Sequence, residues 1–69
     1  MIYKNESIRF GILAVEKGYI TERELGRAVS QQMKEDLAQT HQRFLGEILL
    51  EMGFINNSEI QDVLHSLKH

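Results

Sequence analysis

A chain of 69 residues makes one small domain, burying only about 60% of the surface its unfolded form exposes, so its stability margin is thin. With no cysteine, disulfides and thiolate–zinc sites are excluded, which leaves dense helix packing, self-association or docking on a partner. Hydrophobic residues at 42% exclude a disordered chain, no apolar run nears the roughly 18 residues that span a bilayer, and a net charge of −2 argues against a nucleic-acid binder.

The first predicted element is a helix over 7–17, with Ser7 as N-cap and Gly18 as a left-handed C-cap. Its stretch from Phe10 to Val15 is apolar most of the way round, which predicts a central, enclosed helix. A tight turn through Tyr19 and Ile20 leads to a second helix over 22–38. Thr21-Glu22-Arg23-Glu24 reads as a capping box: the Thr21 hydroxyl accepts from the Glu24 N–H while the Glu24 carboxylate accepts from the Thr21 N–H. Leu25, Ala28, Val29, Met33 and Leu37 are assigned to one buried face of this helix. A linker ending at Gln42 follows.

The third helix, over 43–52, is again apolar nearly all round and ends at Gly53. The fourth, over 57–67, is entered through Asn56-Asn57-Ser58-Glu59, which offers the same reciprocal cap, and it buries Ile60, Val63, Leu64 and Leu67. Ile20 and Ile55 precede the two N-caps, where an apolar residue staples the turn to its helix.

A shift of 35 residues superimposes the halves. Gly11 falls on Gly46, Glu16 on Glu51, Gly18 on Gly53, Tyr19 on Phe54, Ile20 on Ile55, and Glu24 on Glu59. The chain therefore reads as a single all-α domain of two duplicated helix–turn–helix units, about 8–32 and 43–67, separated by 33–42. Helices 1 and 3 are expected at the centre and 2 and 4 as amphipathic covers, so that neither unit closes a core alone. Gly11 and Gly46 sit inside helices, where glycine costs about 1 kcal/mol against alanine, and they are expected where helices 1 and 3 approach closely.

The repeated motif resembles the N-terminal, MshEN-type domain of type II secretion and type IV pilus assembly ATPases. The first copy reads Arg9-Phe10-Gly11-x2-Ala14, Gly18-Tyr19-Ile20 and Leu25-x3-Val29-x2-Gln32. The second reads Phe44-Leu45-Gly46-x2-Leu49, Gly53-Phe54-Ile55 and Ile60-x3-Leu64-x2-Leu67. The resemblance implies a bacterial, non-catalytic adaptor or regulatory module that docks on a partner protein through a helical face. It also implies an alternative, binding of cyclic di-GMP, with Arg9, Gly11, Gln32, Arg43, Leu45 and Gly46 as ligand contacts. Arginine would pair with a phosphate or a guanine edge, and glycine would admit an anion to the backbone. Copy two carries Phe44 at the arginine position, with Arg43 one place earlier, and Leu67 at the glutamine position, which ranks the protein partner above the nucleotide.

Other chemistry finds little support. His41, His65 and His69 lack metal-ligand spacing, and no nucleophile–base set or phosphate loop occurs, so neither catalysis nor a cofactor is expected. Helix 2 carries Arg23, Arg27, Gln31, Gln32 and Lys34, but Glu22, Glu24, Glu35 and Asp36 flank them, which disfavours DNA. The opening residues lack a signal peptide's apolar stretch, so a cytoplasmic location is expected.

Overall fold

A computed structural model describes residues 2–39 and 43–67, with side chains described from residue 7 onward. It contains four helices: α1 Ile2–Glu16, α2 Glu22–Ala38, α3 Leu45–Met52 and α4 Asn57–Leu67. Among the described residues there is no strand, so the protein is all-α. Residues 40–42 of the expected linker lie outside the described residues, as do His41 and His69.

Local chemistry accounts for most helix ends. Gly18 and Gly53 both adopt φ +82°, which an L side chain rarely tolerates. There the N–H of Gly18 bonds to the carbonyl of Val15 and that of Tyr19 to Ala14; Gly53 and Phe54 repeat the pattern on Leu50 and Leu49. Thr21 and Glu24 form the capping box, at 3.1 Å and 2.9 Å. Asn56 and Glu59 form its counterpart, at 2.8 Å and 3.1 Å. At α3 the N-cap is Phe44, whose side chain has no acceptor, so only the return bond exists, from the Phe44 N–H to Glu47 at 2.9 Å.

The start of α1 corrects the expectation for Ser7. The helix begins at Ile2, so Ser7 lies within it and is fully buried. Its hydroxyl oxygen accepts from Gln32 Nε2 on α2 at 3.3 Å, an interhelical role in place of a cap.

The covers cross over between the halves. α2 packs most extensively on α3, α4 packs on α1, and α1 meets α3 at the centre. Phe10, Ala14, Ile20, Ala28, Leu45, Ile48, Leu49, Ile55 and Val63 form the core. The mid-helix glycines make reciprocal sockets. A Cβ on Gly11 would collide with Leu25 and lie 3.0 Å from Leu45; one on Gly46 would lie 3.0 Å from Phe10 and 3.1 Å from Phe44. Phe10 and Leu45, equivalent under the 35-residue shift, thus each fill the hollow over the other half's glycine. The Phe10 and Phe44 rings meet edge-to-face at 5.0 Å, an arrangement that suits their quadrupoles.

Two burial expectations fail. Met33 and Leu37 are 56% and 82% exposed, not core. Residues four apart advance 400° on a helix, so the series 25-29-33-37 drifts off the face by 40° per step. The buried stripe of α2 is Ala28, Gln32 and Glu35, two of them polar, with Leu25 half-buried against Gly11 of α1. Nor is the whole circumference of helices 1 and 3 buried: Ile8, Ile12 and Leu50 are exposed. Three neighbouring helices cannot enclose a fourth.

Candidate functional site

The residues implied by the family resemblance separate into three environments. Gly11, Leu45 and Gly46 are buried at the α1–α3 crossing, where side chains already occupy the space a ligand would need. The absence of a side chain at the two glycines makes room for Leu25 and Leu45 over Gly11 and for Phe10 and Phe44 over Gly46.

Gln32 and Arg43 belong to a polar seam between α2 and α3. Gln32 Nε2 also donates to the Arg43 carbonyl at 3.1 Å, linking the segment before α3 to α2 and, through Ser7, to α1. The Arg43 guanidinium donates to both oxygens of Glu35, from Nη2 at 2.6 Å and from Nε at 3.2 Å. Its Nη1 donates to Glu51 on α3 at 2.7 Å. Gln31 Nε2 adds a bond to Glu35 at 3.0 Å. Hydrogen bonds to Glu35 and then to Glu51 push the Arg43 pKa above its ordinary value, against a smaller opposing effect of burial. The bidentate fork is the arrangement that arginine and carboxylate make best. Sequence reasoning missed Glu35, because an acid on a helix is ordinarily solvent-facing. Its signal is positional, since it continues the stripe of Ala28 and Gln32.

Arg9 is exposed and stands apart from both groups. It lines an open groove of about 250 Å³ between α1 and α4, together with Ile12, Leu13, Glu16, Ser66 and Leu67. Among the described residues neither Arg9 nor Glu16 has an ion-pair partner. A second depression of about 230 Å³, lined by Arg27, Ser30, Gln31, Lys34 and Met52, lies between α2 and α3. The Arg27 guanidinium lies 5.7 Å from the centre of the Phe54 ring.

The aromatic residues after the capping glycines serve the packing between halves. The Tyr19 hydroxyl donates to Asp62 on α4, which also pairs with Lys17 at 3.2 Å. Tyr19–Asp62 and Phe54–Arg27 occupy equivalent positions under the 35-residue shift. Among the described residues no group of His, Cys, Asp or Glu is placed to hold a metal ion, and no helix is long and apolar enough to cross a membrane. The fold and these surfaces define a small all-α protein with a polar seam and one open, mixed-charge groove. Compared with known proteins, the chain matches no family model, no curated protein and no solved structure.

Proposed function

We propose that this chain is a non-catalytic adaptor or regulatory module of the cytoplasm, binding a partner protein through a helical face, as the resemblance to secretion-ATPase N-terminal domains implies. The observation that carries this reading is the pair Met33 and Leu37, one turn apart on α2 and both more than half exposed. A thioether and a leucine at i and i+4 offer an adaptable apolar contact to a helix or groove of another protein. Capture from an extract of cells that natively carry the protein tests it, comparing the native chain with Met33→Glu and Leu37→Glu. A partner retained by the first and lost by both variants, at unchanged helicity, is the expected result. Identical retention by all three chains would reject this face.

Exposed Arg9 favours a second reading, binding of cyclic di-GMP. Against it, the glycines of the implied site are packed, and the side chains of Gln32 and Arg43 are engaged internally. Losing one charged hydrogen bond to a phosphate costs about 1.5–3 kcal/mol, roughly tenfold to hundredfold in affinity. A titration followed by amide chemical shifts is expected to show no binding or weak binding that disappears in Arg9→Ala. Sub-micromolar affinity would promote the nucleotide reading over the adaptor. DNA is the least supported partner, since the basic residues of α2 are interspersed with acids.

A further inference from the structure

The outward face of α1 carries two opposite charges that cannot reach each other along the helix. Arg9 and Glu16 line the same groove, but they lie two turns apart on one helix, about 10 Å along its axis. Ile12 and Leu13 lie between them, with Ile8 one residue before Arg9; Ile8 and Ile12 are 49% and 48% exposed. Leu67 of α4 completes the apolar floor.

The other half shows how the matching acid is satisfied. Under the 35-residue shift Glu16 corresponds to Glu51, and Glu51 is paired with Arg43 at 2.7 Å. The position corresponding to Arg43 is Ile8. The α1–α4 groove therefore has an aliphatic side chain where the α2–α3 seam has its arginine, and among the described residues Glu16 has no cation such as its counterpart has.

We infer that this face is a homodimer interface, in which α1 packs antiparallel on α1 of a second copy. In an antiparallel pair whose twofold axis passes between residues 12 and 13, Arg9 of each copy opposes Glu16 of the other. Ile12 then lies over Leu13 of the second copy, twice. An isologous contact requires this reciprocity, residue i meeting j while j meets i, and the face supplies it from one helix. The groove has room for several waters at about 30 Å³ each, which an entering aliphatic side chain displaces. A single helix face falls short of the about 800 Å² per partner of standard stable complexes, so the dimer is weak, with a dissociation constant on the order of 10–100 μM. The surface uses other residues than Met33 and Leu37, and the inference does not rest on the adaptor reading.

Sedimentation equilibrium of the full chain, from about 10 μM to about 1 mM, tests it. A reversible dimer that weakens as salt rises is expected. Arg9→Glu and Glu16→Arg each place like charges together twice and are expected to raise the dissociation constant at least about tenfold. Mixed in equal amounts, the two variants become complementary, so they are expected to dimerise with each other while failing to do so alone. Ile12→Lys is expected to abolish association, and melting curves at these exposed positions check that each variant folds. A native chain monomeric at about 1 mM overturns the inference. So does a dimer that neither charge variant weakens, or a mixture that fails to recover association.

Discussion

Asp62 collects two groups from the other half of the chain, the Tyr19 hydroxyl and the Lys17 ammonium. The bond from Tyr19, then that from Lys17, hold its carboxyl below the usual carboxylate range. The bond to Asp62 in turn pushes the Tyr19 phenol above its ordinary value, with burial and the nearby carboxylates acting in the same direction. The signs of the two linkages are opposite. A depressed carboxyl contributes stability that is present above its unfolded pKa and lost as pH falls through its folded one. A raised phenol favours the neutral form, so its contribution is present below the unfolded tyrosine pKa and lost as pH rises through the folded one. Tyr19→Phe keeps the ring and removes the hydroxyl. Melting curves at about pH 3, 7 and 11 are expected to show native stability falling toward both extremes, and a flatter profile in the variant. Asp62 is exposed and Tyr19 only half-buried, so solvent screens the pair and the effect is modest. An identical profile in the two chains would mean that the bond does not persist in solution.

Among the elements, α3 is the shortest and the most enclosed, with Leu45, Gly46, Ile48 and Leu49 all buried. Eight residues form a marginal helix in water, so α3 depends on packing for its existence. Leu49→Ala is expected to cost about 2–5 kcal/mol, as fully buried leucines do. Its melting midpoint should fall by at least about 8 °C, while half-buried Leu25→Ala loses less. Equal losses at the two positions would mean that α3 is not the centre of the core. The turns and caps of these elements are legible in the amino-acid sequence, because Gly18, Gly53 and the Thr21–Glu24 and Asn56–Glu59 boxes act through nearest neighbours. The start of α1 is not. Ser7 has a cap residue's chemistry, and only the approach of Gln32 from α2 gives its hydroxyl another partner. Met33 and Leu37 mislead for a related reason: an apolar period marks a face loosely, and the position of α3 decides which edge of it is covered.

For the whole molecule the exchange of covers is the governing feature. α2 lies chiefly on α3 and α4 on α1, whereas α1 against α2 is the least extensive of the four principal helix pairs. A chain of this length has a net stability of roughly 3–10 kcal/mol, too little to survive removal of the covers. Separate peptides spanning 1–39 and 43–69 are therefore expected to show little helix by circular dichroism alone and to gain it when mixed. Full helicity in either peptide alone would show that one half closes its own core. The amino-acid sequence by itself determined the all-α class and the turns at Gly18 and Gly53, because these depend on local backbone chemistry and on periodicity. Only the tertiary structure decided that Gly11 and Gly46 receive Phe10 and Leu45 crosswise, that Arg43 is held by Glu35 and Glu51, and that Arg9 and Glu16 remain on an open face. Those outcomes depend on which helix lies against which, and helical period specifies a face without specifying its neighbour.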